Sequence, residues 1–479
     1  MGNTGSQTDT EKHSNDRKDE AANLSRKGGV VIIKDQTGSL VKLFEKFKLT
    51  EDRGSDVSCE LWRTTFESAF EGAFHLFGKL LYRCMVDFGG AEGERITQEQ
   101  FIKAGNEIFN FDERRLVNHY FHFFAEGRDV LKKDDARTMF EVSFLLTLSV
   151  SRILYQEDKQ DAAMFDAMVT GLFGSKTEVS VSDLSRWLKK SCPHLFDSVH
   201  SWVMQVLAGS TMPQEMDMAQ VALLEEVVSG SGCMTTPILW ALSMALPPVY
   251  ITLTVNTGPA SALPSSSAAE KATLGTSSGL KRMEPLPHLH RWKLLYSSSE
   301  HGMSINRFKH HVSAYNAPSV TVISFEGGNI YCLAVDRSWL EGLNKFGGAN
   351  CMLIQLLPTF QVVQAGEKMV RWNEAIRGIP KGISIGCDGK PEVLRISPDF
   401  DSVLHYTVPH AIHRIEVWGC GTDSTLQAQK NLKDWESKAV ERERERKLRP
   451  AALGEDLQNN PDRQILQWGG VNVGGQSYR

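Results

Sequence analysis

The chain has 479 residues, 41% of them hydrophobic and 23% charged, which is enough apolar side chain for two or three packed domains. Its formal net charge of −5 is small for that length and gives no general attraction to nucleic acid. No charge-free apolar run is long enough for a membrane-spanning helix, and the eight cysteines lie too far apart in sequence for a zinc site. Reduced, mostly buried thiols are expected, with no metal and no cofactor.

Residues 1–30 are polar, which predicts a disordered tail and no secretory signal. They open Met1-Gly2-Asn3-Thr4-Gly5-Ser6, the pattern for N-myristoylation at Gly2. One acyl chain anchors only reversibly, so the expectation is a peripheral membrane contact that needs a second attachment.

Residues 31–230 read mostly as amphipathic helices. Leu61, Phe66, Phe70, Phe74 and Phe77 recur near helical spacing, as do Leu116, Tyr120, Phe123 and Phe124. Such aromatic stripes are the pattern of a helical core. Three stretches, Gly89–Phe101, Ala125–Phe140 and Gly174–Trp187, resemble the loop and following helix of an EF-hand. With Ile96, Val130 and Val181 as central apolar residues, the first, third and fifth loop positions hold Gly89, Ala91 and Gly93, then Phe123, Ala125 and Gly127, then Gly174, Lys176 and Glu178. A calcium loop needs oxygen ligands there and a closing glutamate. Gln100 and Ser185 close the first and third loops instead. An all-α, EF-hand-like module that does not bind calcium tightly is therefore expected.

Residues 233–421 read as a second domain of mixed structure. It opens with Thr236-Pro237-Ile238-Leu239-Trp240-Ala241-Leu242 and Leu246-Pro247. Residues 256–287 are rich in Ser, Ala, Gly and Pro, which predicts a disordered insertion. The stretch Arg291–Trp339 then reads as strand, helix, strand, turn, strand. Trp292, Leu294, Leu295 and Tyr296 form an apolar strand, Gly302 allows a bend, and Ser304 is the expected N-cap of a helix from Ile305 that buries Ile305, Phe308 and Val312. Val320, Val322 and Ile323 give the next strand, and Glu326-Gly327-Gly328-Asn329 gives a hairpin turn. Gly347 and Gly348 precede a strand and lack the Lys-Ser/Thr of a phosphate loop.

This distributed pattern resembles a TLDc domain. Phe346-Gly347-Gly348, Arg371-Trp372-Asn373, the glycine-rich Gly378–Gly386 and the closing His413-Arg414-Ile415-Glu416-Val417-Trp418 continue the likeness. The resemblance implies a β-sandwich with flanking helices over 233–421. It also implies protection against oxidative stress and association with the vacuolar-type proton ATPase. Structural or interaction roles fall on His301, Gly302, Ser304, Gly347, Gly348, Glu416 and Trp418. A hydrolytic or oxidative-defence enzyme remains the alternative, with Ser304 as nucleophile and His301 as base. Ser304 sits in no Gly-x-Ser-x-Gly elbow, since Asn306 stands where the second glycine would be, and a serine three residues after a histidine at a helix start is first of all a capping residue.

Residues 424–449 predict one charged helix ended by Pro450, followed by a tail over 450–479. Trp435, Arg442, Arg444 and Arg446 are its candidate partner-binding residues. This helix, the Met-Gly start and the EF-hand-like region resemble the membrane-associated, mTOR-linked branch of TLDc proteins. The overall expectation is an α+β chain: an all-α module, a TLDc domain and a C-terminal helix. Such a chain would act as a non-enzymatic regulator or adaptor in the cytoplasm, peripheral on endolysosomal membranes.

Overall fold

A computed structural model describes residues 36–49, 60–70, 72–151, 155, 158–209, 231–251, 292–448, 465 and 468–469. The expected insertion at 256–287, Gly2 with its neighbours, and nearly all of 450–479 lie outside the described residues. The architecture is mixed, with a helical N-terminal region, a large antiparallel sheet and a C-terminal helix. The chain divides into two compact units.

The first unit takes the described residues up to Ile251, with Gly328–Tyr331 and Ile354–Val363. Its elements begin with α1 (Thr37–Leu49), β1 (Glu60–Trp62), α2 (Arg63–Ser68), α3 (His75–Gly89), β2 (Arg95–Thr97) and α4 (Gln98–Phe109). They continue with α5 (Glu113–Phe124), α6 (Lys133–Ser151), α7 (Ala162–Phe173), α8 (Val181–Ser191), α9 (Leu195–Gly209), α10 (Thr236–Ala245) and α11 (Pro248–Ile251).

Local signals set several of these boundaries. Thr97 and Gln100 form a reciprocal capping box at the start of α4, Ser180 and Asp183 form another on α8, and the Asp112 side chain caps α5. The expected aromatic stripe is core. Phe77 meets the Trp202 ring edge-on at 5.3 Å, and Tyr120 stacks on Phe196 at 5.1 Å. Trp240 of α10 is fully buried and donates to Thr147 Oγ1 of α6 at 3.1 Å.

Short strands pair the helical units. Leu61 of β1 lies opposite Ile96 of β2, and Leu131 forms an antiparallel bridge with Val179. Ile96 is thus a central apolar residue as expected. Val130 and Val181 are not: the bridge forms at Leu131 and Val179, both fully buried, and Val181 is already the first residue of α8. Burial decides the register, because an extended chain turns alternate side chains to opposite faces.

The second unit takes 292–327, 332–353 and 364–448 of the described residues. Its first elements are β3 (Lys293–Ser297), α12 (Ser298–His301), α13 (Ile305–Val312) and β4 (Ser319–Phe325). The chain then runs β5 (Asn329–Val335), β6 (Met352–Leu357), β7 (Gln361–Ala365), β8 (Val370–Asn373), β9 (Gly382–Ile385), β10 (Leu394–Ile396), β11 (Ser402–His405), β12 (Val408–Gly419) and α14 (Asp423–Leu448). The hydrogen-bonded strand order is β7-β6-β5-β4-β12-β11-β10-β9-β8, with β3 also on β12.

The long strand β12 organises this sheet. One edge pairs with β11 through Val408–Ala411 and then with β3 through Glu416–Gly419. The other edge pairs with β4 from Ile412 to Gly419. Ile415, Glu416, Val417 and Trp418 are all buried, so this half of β12 is covered on both faces. Among the described residues no helix is long and apolar enough to cross a membrane.

Candidate functional site

The corner between β3 and α13 holds the residues that sequence singled out. Tyr296 donates through its hydroxyl to the Gly302 carbonyl at 2.8 Å, and Ser298 Oγ accepts from the Ile415 N–H at 3.0 Å, tying the corner to β12. Gly302 has φ +81°, and a Cβ there would come within 2.8 Å of the Arg307 guanidinium, which donates to the His301 carbonyl. The bend therefore needs glycine.

Ser304 stands at the N-cap position with extended backbone, but its side chain caps nothing. The expected hydroxyl cap is absent, and the turn before the helix is tied instead through its carbonyls, Gly302 to the Tyr296 hydroxyl and His301 to the Arg307 guanidinium. Ile305 is half-buried, whereas Phe308 and Val312 are buried as expected. Phe308 is the centre of an aromatic cluster, with ring centroids 5.1 Å from Trp339, 5.3 Å from Phe400 and 5.6 Å from Trp372.

His301 does not face Ser304. Its Nδ1 accepts from the Ser297 N–H at 3.0 Å, and its ring stacks on His311 with centroids 3.7 Å apart. Burial, then the neighbouring His301 and His310, lower the His311 pKa to about 4. The His311 ring of the stack is thus neutral near pH 7. No hydrogen bond joins His301 to Ser304 among the described residues.

The pair Gly347-Gly348 wraps a carboxylate of the chain itself. Asp336 accepts from the Gly348 N–H at 2.7 Å and from the Asn350 N–H at 3.2 Å. A Cβ on Gly348 would collide with that carboxylate, so these amides are already filled. Glu416 is fully buried on β12, with the Trp418 indole donating to it at 3.4 Å and Arg414 at 3.5 Å. Both closing-strand residues are parts of the packed interior.

Residues 279–421 match the family model for the TLDc domain. A TLDc domain is present in this chain. Compared with curated proteins, the chain matches none.

Helix α14 begins just past the matched TLDc residues and is attached to the domain by residues that sequence reasoning missed. Gln429 Nε2 donates to the carbonyls of His311 at 3.0 Å and Ser313 at 2.8 Å, and Lys433 Nζ approaches the His311 carbonyl at 3.4 Å. These are free acceptors at the end of α13, where a helix leaves carbonyls without internal partners. Burial lowers the Lys433 pKa. Tyr315 also accepts from the Gly421 N–H at 2.7 Å, fixing the turn before α14. Leu426, Gln429 and Lys433 recur at helical spacing, but one apolar residue in three does not register as a buried stripe.

Beyond Lys433 the helix leaves the domain surface. Of residues 434–445 all are exposed except the half-buried Ala439. Trp435 is 64% exposed and Val440 51%. Arg442 and Arg444 are exposed among Glu441, Glu443 and Glu445. The side chain of Arg446 lies outside the described residues.

Proposed function

We propose that the chain is a non-enzymatic regulator or adaptor that docks on the vacuolar-type proton ATPase at endolysosomal membranes through the projecting half of α14. The TLDc domain is consistent with a regulatory role. The observation that carries the docking reading is a helix anchored by Gln429 and Lys433 that presents Trp435 and Val440 to solvent. A helical stretch of that length is marginal in water on its own, and a large exposed indole is a typical interface anchor. The alternating charges give no net sign, so the apolar residues would supply affinity and Arg442, Arg444 and Arg446 the register.

The same proposal includes an EF-hand-like helical module, acylation at Gly2 as a reversible membrane contact, and the oxidative-stress and mTOR-linked roles of the branch that the sequence resembles. The enzyme alternative gains no support from the corner geometry, because His301 Nδ1 is committed to the Ser297 amide.

Affinity capture from solubilised endolysosomal membranes tests the reading, with the full chain as bait beside Trp435→Ala. Pump subunits recovered by the wild type and lost with the variant are the expected result. Equal recovery by both, or recovery by neither, would overturn the docking role of α14. Fractionation of Gly2→Ala tests the membrane contact separately, and unchanged membrane association would remove it.

A further inference from the structure

The loops around the Leu131–Val179 bridge share a pattern that their sequences hide. The two backbones exchange N–H···O bonds of 2.9 and 3.1 Å, so Leu131 and Val179 are equivalent points. Three residues before them stand Arg128 and Lys176; four residues after them stand Asp135 and Asp183. In each loop the cation meets the carboxylate. Arg128 lies 2.8 Å from Asp135, and Lys176 lies 2.7 Å from Asp183.

The rest of each loop supports the same carboxylate. Asp135 accepts from the Lys132 N–H at 3.0 Å, and Asp183 accepts from the Ser180 hydroxyl at 3.0 Å. The Lys176 and Ser180 hydrogen bonds lower the Asp183 pKa to about 2. Both carboxylates are about four-fifths buried. Arg128 is fixed further by donating from Nε to the Ala125 carbonyl at 2.8 Å.

In a calcium loop of twelve residues the bridging apolar residue is the eighth, the fifth supplies an oxygen ligand, and the twelfth is the closing carboxylate. Counted from Leu131 and Val179, the fifth positions are Arg128 and Lys176 and the twelfth are Asp135 and Asp183. The first and third positions, Phe124 and Glu126 in one loop and Leu172 and Gly174 in the other, supply one side-chain oxygen group between them.

We infer that Arg128 and Lys176 are tethered cations that stand in for a divalent ion, so that this loop pair holds one helix arrangement without metal. The closing carboxylate is kept and its counter-charge is carried by the chain. A bound ion can leave when its concentration falls; a side chain cannot. The pair α5–α6 and α7–α8 is thereby a fixed platform rather than a calcium-driven switch. The paired loop at Ile96 follows the same logic with a neutral group, since Gln100 accepts from the Thr97 N–H and donates to the Gly90 carbonyl. The inference rests on the EF-hand-like reading but not on the choice of partner.

Thermal unfolding of the full chain, followed by circular dichroism, tests it. The wild-type midpoint should be the same in millimolar calcium, millimolar magnesium and chelator. Lys176→Met and Arg128→Met, which keep the aliphatic stem, should each lower the midpoint by about 2–4 °C, and Lys176→Arg should restore it. A wild-type midpoint that rises with calcium, or calorimetric calcium binding to the wild type, would overturn the inference. Methionine variants that unfold with the wild type would overturn it equally, by making these ordinary surface ion pairs. Capture of pump subunits is read on the same proteins, and its failure alone bears on the docking reading and not on this one.

Discussion

Gln429 Nε2 donates to the His311 carbonyl across 3.0 Å, and this bond makes the C-terminal helix an attached part of the domain. The amide also reaches Ser313 O, so one buried side chain satisfies two acceptors at the end of α13. The docked stretch of α14 thereby sets the direction in which its exposed half leaves the surface.

Replacing Gln429 by Ala should therefore loosen α14 without unfolding the sheet. An acceptor left unsatisfied costs up to about 1–3 kcal/mol; the Ser313 carbonyl loses its side-chain donor, while the His311 carbonyl keeps the longer Lys433 contact at 3.4 Å. Amide exchange over Thr425–Lys433 should speed up by at least about tenfold, while β4 and β12 keep their protection. Lys433→Met removes only a longer contact and should act in the same sense more weakly. Unchanged exchange in Gln429→Ala would show that the turn at Gly421 alone holds the helix.

The attachment was invisible in the sequence for a physical reason. Gln429 is polar in a polar helix, and only the neighbouring chain end tells it apart from Gln427 or Asn431. The elements themselves were legible: a β-branched run marked β4, the Glu326–Asn329 turn placed β5 after it, and strong helix formers before Pro450 marked α14. The Gly302 bend was legible too, because glycine alone tolerates its φ. Ser304 shows the limit. Its identity and place suggest a hydroxyl cap, yet Tyr296 and Arg307, on either side, already hold the turn. The loop centres failed by one and two residues at Val130 and Val181, since apolar character cannot say which residue of a short extended segment faces inward. That shift hid the cation–carboxylate pairs, which became visible only once Leu131 and Val179 were opposite each other.

Phe308 should be the most costly single truncation in α13. It is fully buried between Trp339, Trp372 and Phe400, and removing the ring leaves a cavity that rigid indoles cannot fill. Phe308→Ala is expected to cost about 3–5 kcal/mol in urea unfolding of the TLDc unit, and Phe308→Leu clearly less. Near-ultraviolet circular dichroism should lose the signal of the clustered tryptophans in step. A cost below about 1 kcal/mol would mean that the cluster collapses around the gap.

Gly171 in α7 should accept no side chain. A Cβ there would lie 2.1 Å from the backbone oxygen of Phe360, whose own N–H donates to the Ala167 carbonyl at 2.9 Å. Backbone cannot swing aside as a side-chain tip can. Gly171→Ala would gain a few tenths of a kcal/mol to about 1 kcal/mol from helix propensity and lose more through displacement of the Ile354–Val363 segment. The net expectation is destabilisation by about 1–3 kcal/mol, read as a lower thermal midpoint of the first unit. A midpoint that rises would show that the segment moves freely away from α7.

Stability of the helical unit should fall as the solution turns mildly acidic. His200 is 1% exposed; its Nδ1 meets the Tyr120 hydroxyl at 3.3 Å and its Nε2 has no partner among the described residues. Burial lowers its pKa to about 4, with Asp197 pulling weakly the other way. A histidine in the unfolded chain titrates near 6.5, so between about pH 6.5 and 4 the unfolded state binds the extra proton. The contribution is complete above the unfolded value and is lost as pH falls towards the folded one. From pH 7 to 5 the loss is on the order of 2 kcal/mol, measured as a shift of the urea midpoint. His200→Gln keeps a polar side chain but cannot titrate, and it should flatten the pH dependence by about one proton. An unchanged slope in that variant would assign the acid sensitivity to other groups.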